Sequence, residues 1–199
     1  MHTAVVTILG VEKLSQGRYY DQEMVPRIGE EGHHAYEERT WKNRLHVDAN
    51  GNVYVPPMCF KNGLVNASKH LNLKIPGENR KTFTKRFESG ILITAPLVLP
   101  ISADEVKGEW LFVPSDGQRG GTRRVNKCFP YITEWGGDIT ITIMDEKITS
   151  EVLLKHFKCL GMFVGIGRFR PERNGFYGRF KVTKMTWDGR EFKNPSGEA

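Results

Sequence analysis

One stretch of the sequence concentrates residue types that bind anions: GIGRFRPERNGFYGRF, residues 165–180. It contains four glycines and four arginines, with aromatic residues between them. Glycine lets a backbone amide approach a partner because no Cβ atom is in the way. The planar guanidinium of arginine matches phosphate oxygens, and an aromatic ring such as Phe169 or Tyr177 can stack on an unpaired base. The stretch predicts single-stranded nucleic-acid binding, and a surface turn with solvated charges is the alternative.

The distribution of charge supports a polyanionic partner. The net charge is +6, from 29 Lys and Arg residues against 23 Asp and Glu residues. Residues 165–184 carry six basic residues and one acid, and residues 115–127 carry four basic residues and one acid. Because the positive charge is concentrated in two segments, it indicates a binding surface for nucleic acid rather than general solubility.

The sequence contains no established catalytic motif. A phosphate-cradling P-loop follows a strand and precedes a helix, whereas residues 165–180 follow a predicted helix and precede a predicted strand. His33 and His34 are adjacent in a polar segment and are the candidates for general acid–base cleavage of RNA, with exposed loop histidines as the alternative. No Ser/His/Asp set or HExxH pattern is present. No cofactor and no metal are predicted.

Composition is that of a globular protein with a packed core. Hydrophobic residues make up 39% of the chain and charged residues 26%. The three cysteines are far apart and form no CxxC pair, so they predict neither a disulfide framework nor a zinc site. No apolar run is long enough to span a membrane, which predicts a cytoplasmic protein with no membrane contact.

The hydrophobic pattern predicts alternating strands and helices. Residues 3–11 are apolar on both alternating faces, which predicts a central strand covered on both sides. A polar insertion follows over residues 12–51, with a short helix at 35–44. Further strands are predicted at 52–57, 90–100, 108–114, 126–132, 138–144 and 176–187. Helices are predicted after residue 57, where Phe60, Leu64, Ala67 and Leu71 have helical spacing, and from residue 149 or 150 to 160, with Gly161 ending the second one.

This order predicts one α+β domain over residues 1–199. The core is expected to be ferredoxin-like or RRM-like, an antiparallel sheet with two helices on one face and the other face open. The long insertion follows strand 1. A hairpin with a glycine-rich tip is predicted within residues 102–127, and residues 188–199 are predicted to be a frayed tail.

Two segments together resemble the RAMP superfamily of CRISPR-associated proteins. The first is the glycine-rich loop just described, which lies between the last predicted helix and the last predicted strand. The second is VYVPPMCFKNGLVNASK, residues 53–69, which is similar to the strand, proline and helix segment of the backbone subunits of CRISPR effector complexes. Lys61, followed by Asn62 and Gly63, takes the place of the lysine that opens the helix in that segment.

The resemblance implies binding of guide-type RNA along the sheet and the helix that bears Lys61. It also implies head-to-tail polymerisation with copies of itself, association with other effector-complex subunits, and a protruding thumb formed by the 102–127 hairpin. The residues predicted to bind nucleic acid are Lys61, Asn62, Lys69, Arg119, Arg123, Arg124, Lys127, Gly165, Gly167, Arg168, Arg170, Arg173, Tyr177 and Arg179.

Three alternatives remain open. The first is a guide-processing endoribonuclease of the same superfamily. The second is an interaction protein of a mobile element that reuses the fold. The third is a single-stranded DNA-binding protein, because the residue types alone do not reveal whether a 2′-hydroxyl is recognised.

Overall fold

The computed structural model describes residues 1–21, 23–115 and 123–192. The strands are β1 (His2–Gly10), β2 (Leu14–Ser15), β3 (Asn52–Val55), β4 (Ile91–Leu92), β5 (Leu97–Ser102), β6 (Lys107–Pro114), β7 (Arg124–Ile132), β8 (Gly136–Ile143), β9 (Phe180–Trp187) and β10 (Arg190–Glu191). The helices are α1 (His33–Thr40), α2 (Pro57–Leu71), α3 (Thr84–Ser89) and α4 (Ser150–Cys159).

The main sheet has the order β10-β9-β1-β8-β4, and all its neighbouring strands are antiparallel. Without β10, the elements of this sheet and its two long helices follow one another in the chain as β1, α2, β4, β8, α4 and β9. Strands β1 and β8 are the two central strands of the sheet. This is the ferredoxin-like order, so the predicted α+β fold class is confirmed.

The two long helices cover one face of this sheet. Ala4, Val6 and Ile8 of β1 are buried, and so are Ile139, Ile141 and Ile143 of β8. They belong to the same buried cluster as the inner faces of α2 and α4, which repeat apolar residues at helical spacing: Phe60, Leu64, Ala67, Leu153 and Phe157. Burial of these side chains supplies the main driving force for the fold.

The prediction that β1 is covered on both faces is wrong. Leu9 is 48% exposed, and Val5 is only partly buried. The register places Val5 opposite Thr140 and Thr7 opposite Asp138. This second face of β1 therefore lies in a polar, open surface, and its apolar residues do not reflect a second layer.

Two smaller sheets are formed by β2, β3 and the strands between β4 and β8. Strand β3 pairs with β5, and the long hairpin β6–β7 is extended by β2 on its outer edge. The insertion contains α1, followed by a 3-10 helix over Trp41–Arg44, and both pack on β7. The insertion is therefore an integral part of the molecule and connects the hairpin to the core.

Several predicted boundaries change. The run 90–100 forms two strands rather than one, and α3 was not predicted. Helix α4 does not end at Gly161, because a π-helical turn continues through Leu160–Val164 to Gly165, which has a φ of 68°. Gly161 is needed for close packing instead, since an added Cβ would overlap the carbonyl oxygen of Phe180. The last long strand starts at Phe180 and not at residue 176.

Among the described residues, no helix is long and apolar enough to cross a membrane.

Candidate nucleic-acid interface

Residues 165–179, here called the glycine–arginine loop, form a compact structure tied to the start of the insertion. The amide of Arg168 donates to the carbonyl of Ser15 at 2.7 Å, and the amide of Gly178 donates to Lys13 at 2.8 Å. Within the loop, Ile166 donates to Gly178 at 3.1 Å and Tyr177 to Phe169 at 3.1 Å. These amides bind carbonyl oxygens of the protein, so they are not free to bind a ligand.

The loop glycines are required by this internal packing. Gly165, Gly167 and Gly178 have φ angles of 68°, 75° and 71°, in the region that favours glycine. A Cβ at Gly175 would overlap the carbonyl oxygen of Phe169, and one at Gly178 would overlap that of Ile166. From the sequence, these glycines are expected to expose amides to a partner. In the structure they instead allow the loop to fold on itself.

The loop and α2 enclose a cleft of about 420 Å³. One wall is the first half of α2, including Met58, Cys59 and Asn62, and the other is formed by Gly167 and Arg168. Pro56 and the first turn of α2 also line the cleft. The two segments that carried the sequence prediction, although distant in the chain, thus meet at one site.

Five of the predicted binding residues line the cleft: Asn62, Gly165, Gly167, Arg168 and Arg170. The Arg168 guanidinium lies 4.0 Å from the centroid of the Phe129 ring and 4.8 Å from that of Phe169. Burial and the nearby charge of Arg44 lower the pKa of Arg168. Arg170 is held by Glu172, which accepts from its Nε at 2.9 Å, and by the carbonyl of Gly167 at 3.1 Å.

The remaining loop residues point elsewhere. The Tyr177 hydroxyl donates to Glu109 of β6 at 2.7 Å, and its ring lies 4.8 Å from the Lys13 ammonium. Burial and the hydrogen bond to Glu109 raise the pKa of Tyr177. Arg179 donates from Nε to the carbonyl of Met162 at 3.1 Å, and Arg173 is exposed. Tyr177 therefore connects the loop to the hairpin, and base stacking on its ring remains a prediction.

Lys61 lies on α2 but does not line the cleft. Its ammonium donates to the carbonyls of Phe87 and Ile91, both at 2.8 Å, and burial lowers its pKa. It thus connects α2 to the end of α3 and the start of β4. Lys69 is exposed in the last turn of the same helix. Nucleic-acid contact by Lys61 and Lys69 remains a prediction.

We expect Lys61→Met to lower the free energy of unfolding by about 1–3 kcal/mol, because two partly buried carbonyls lose their charged donor. Urea titration of the variant and of the parent protein measures this difference. An unchanged unfolding free energy together with weaker RNA binding would instead support direct contact between Lys61 and the strand.

The basic residues of the hairpin lie apart from the cleft. Arg123 and Lys127 line a second cavity of about 400 Å³ beside α1, together with His33 and Tyr36. Arg124 is exposed on β7. Arg119 lies outside the described residues.

The two candidate catalytic histidines are held in different contacts. His33 is hydrogen-bonded through Nε2 to the carbonyl of Asn126 at 2.9 Å. The His34 ring stacks on Trp110, with centroids 4.2 Å apart and an interplanar angle of 6°. Both residues thus fix α1 to the hairpin. Among the described residues, no group of three or more His, Cys, Asp or Glu side chains is placed to hold a metal ion.

The cleft also contains residues that were not predicted from the sequence. Gln16 is buried and connects the insertion to β3, since it donates to the carbonyl of Tyr54 at 2.9 Å and accepts from the His46 amide at 2.8 Å. Burial, with a smaller effect of Arg18, lowers the pKa of His46. Burial raises the pKa of Cys59, which disfavours a thiolate. Gln16 and His46 come from the polar insertion, where no periodic signal marks them, and Cys59 lies in the first turn of α2.

Comparisons with known proteins give a likeness in structure and no match in sequence. No protein-family model matches the sequence, and no curated protein matches it. Among solved structures, the chain is similar to the crystal structure of Cmr6 from Pyrococcus furiosus, with 12% sequence identity and a TM-score of 0.47. The match covers 92% of this chain and 99% of that one. The fold assignment itself rests on the strand order and helix placement described above.

Proposed function

We propose that this protein binds single-stranded RNA in the cleft between α2 and the glycine–arginine loop. The observation that carries the proposal is the convergence of Asn62, Arg168 and Arg170 on a groove at the start of a helix. Arginine favours phosphate oxygens because its planar guanidinium matches their geometry. The protein has a net charge of +6, which suits a polyanionic strand.

The RNA of this proposal is of the guide type, and several copies of the protein coat one strand head to tail, alone or with other effector-complex subunits. The hairpin offers a surface for such contacts. Strand β6 is the edge strand of its sheet, and Phe112 on this strand is 60% exposed. An exposed edge with an apolar side chain is a common site for pairing with another chain.

We expect the protein to bind a single-stranded RNA of roughly 20 nucleotides with an affinity that falls steeply between about 50 and 200 mM salt. Asn62→Glu should weaken this binding about tenfold or more, because it places a carboxylate against the phosphates. Fluorescence anisotropy with a labelled RNA measures both effects. Size-exclusion chromatography of complexes with RNAs of increasing length tests coating, since complexes of a polymer grow with the strand.

The matched control is Ser89→Glu. Ser89 is exposed in α3 and does not line the cleft, so the same change in net charge should alter the affinity less than about twofold. Equal losses in both variants, or binding to duplex RNA as tight as to the single strand, would contradict the cleft as the site. Equal affinity for single-stranded DNA would favour the DNA-binding alternative.

Two further alternatives make different predictions for the same samples. A guide-processing endoribonuclease would shorten a hairpin RNA during the incubation, and the loss of cleavage on replacing both His33 and His34 would assign the reaction to them. An interaction protein of a mobile element would purify as a monomer without RNA and would fail to bind the labelled strand at low salt.

A further inference from the structure

A buried arginine next to the cleft lacks part of its hydrogen bonding. Arg44, at the end of the 3-10 helix, is 7% exposed. Its Nη2 atom binds Glu37 of α1 at 2.9 Å, and Glu37 in turn accepts from the amide of Cys128. The Nη1 atom of Arg44 is buried and has no hydrogen-bond partner among the described residues. An unpaired buried donor on a charged group is costly, so its retention needs an explanation.

A second guanidinium with the same deficiency lies beside it. The guanidinium carbons of Arg44 and Arg168 lie 5.3 Å and 4.0 Å from the centroid of the same Phe129 ring. The Nε atom of Arg168 is buried, and among the described residues it too has no partner. No carboxylate of the described part of the chain forms a salt bridge with Arg168. The two cations thus pack on the same ring, and Glu37 is the buried counter-charge of Arg44.

Both arginines open into one cavity. It has a volume of about 530 Å³, and Arg18 and Tyr19 are on its walls. Tyr19 is 86% exposed. Asp21 and Glu23 also border this cavity, and both are exposed to solvent. Gly17 and Arg168 line both the cleft and the cavity, so the two are adjacent at Arg168.

We propose that Arg44 and Arg168 form a binding site for one phosphate group. A phosphate in the shared cavity would accept hydrogen bonds from the two guanidinium groups and would supply negative charge beside them. A guanidinium matches the oxygens of a phosphate better than those of a spherical anion. As a subsite for the RNA strand, this site rests on the proposed function. A free phosphate or a small phosphorylated molecule would use the same donors.

The test is thermal unfolding with and without inorganic phosphate, against sodium chloride at matched ionic strength. At a phosphate concentration about ten times the dissociation constant, we expect the midpoint to rise by roughly 3 °C. Arg168→Gln should abolish the rise. The matched control Arg190→Gln, an exposed residue of β10 away from this groove, should keep it. An equal rise in Arg168→Gln, or no rise in the parent protein, would overturn the site.

A double variant guards against simple loss of folding. Arg44→Gln alone would leave the Glu37 carboxylate buried without its partner, so Glu37→Gln and Arg44→Gln are combined into a neutral, similarly shaped pair. A folded double variant without the phosphate response supports the site, whereas a full response contradicts it.

The source of the phosphate is decided by RNA binding in the same variants. If Arg168→Gln loses the phosphate response and also binds RNA at least tenfold more weakly, the site holds a phosphate of the strand. If the phosphate response depends on Arg168 but the parent protein binds no RNA, the site stands for a free phosphate or a small phosphorylated molecule, and the proposed function fails. Failure of the phosphate site and failure of the proposed function therefore give different results.

Discussion

Gly178→Ala is expected to lower the free energy of unfolding by about 3 kcal/mol or more, and to abolish RNA binding at the cleft. Gly178 has a φ of 71°, which already disfavours alanine. An added Cβ would also overlap the Ile166 carbonyl oxygen. The amide of Gly178 donates to Lys13, and its carbonyl accepts from Ile166. Relief of the overlap would therefore break the bonds that close the loop.

The control for this variant separates backbone strain from overlap. Gly77 has a φ of 77°, and no described atom lies within 4 Å of where its Cβ would be. Gly77→Ala should therefore cost only about 1 kcal/mol, the penalty for the positive φ. Chemical denaturation gives both values, and anisotropy with labelled RNA gives the affinity. Similar costs for the two variants would contradict the packing role assigned to Gly178.

The second large effect is a loss of stability in mild acid that depends on His156. This residue is fully buried in α4, with its ring 4.3 Å from that of Phe87. Its Nδ1 is 2.6 Å from the carbonyl of Val152, which identifies Nδ1 as the protonated nitrogen of a neutral ring. Burial lowers the pKa of His156 from 6.5 to about 4. Protonation is therefore easier in the unfolded chain than in the folded one.

Because the folded pKa is the lower one, the stability contributed by the neutral imidazole is complete above the unfolded pKa of 6.5. It is lost as the pH falls from 6.5 towards about 4. The expected loss is about 2 kcal/mol by pH 5 and about 3 kcal/mol in total. Burial lowers the pKa of His46 as well, so His46 contributes with the same sign.

Urea titrations at pH values between about 7 and 5 measure this dependence. In His156→Leu most of the loss over that interval should disappear, while the smaller contribution of His46 remains. The matched control, His70→Leu, removes an exposed imidazole of α2 and should keep the pH dependence of the parent. A parent protein with constant stability over this range would show that His156 takes up its proton without penalty.

The core of the fold could be predicted from the sequence because its elements have clear periodicity. Isoleucine alternates with threonine in β8, and apolar residues recur at helical spacing in α2 and α4. Helix α4 also has its predicted cap, since the Thr149 side chain accepts from the amide of Val152. Local patterns of this kind are sufficient to give the strand and helix order, and the order is sufficient for the fold class.

Other elements could not be predicted because their structure depends on tertiary contacts. Helix α3 is a short segment whose Phe87 is fully buried against the other helices. The π-helical turn after α4 replaces the predicted end at Gly161, where the close approach of the Phe180 backbone requires glycine. Nothing in the local sequence distinguishes a glycine that ends a helix from one that allows a neighbour to approach.

In the candidate site, too, some residues could be predicted from local sequence and others depend on tertiary contacts. The glycine–arginine loop was chosen by residue type, and Arg168 and Arg170 line the cleft. Lys61 and Asn62 are neighbours in the chain, yet Lys61 donates to carbonyls near α3 while Asn62 faces the loop. Arg44 is not among the predicted binding residues, because its significance depends on the unpaired Nη1 atom and on the cavity that it shares with Arg168. Such a juxtaposition of residues that are distant in the chain can be found only in the folded structure.

The internal hydrogen bonds of the glycine–arginine loop have a consequence for the thermodynamics of association. Many arginine-rich segments are disordered when free and lose conformational entropy when a partner orders them. Here the loop is already closed by bonds from Arg168 to Ser15 and from Gly178 to Lys13. Preorganisation of this kind removes an entropic cost from binding. The cleft would therefore select its ligand by fit to a fixed shape, and not by folding around it.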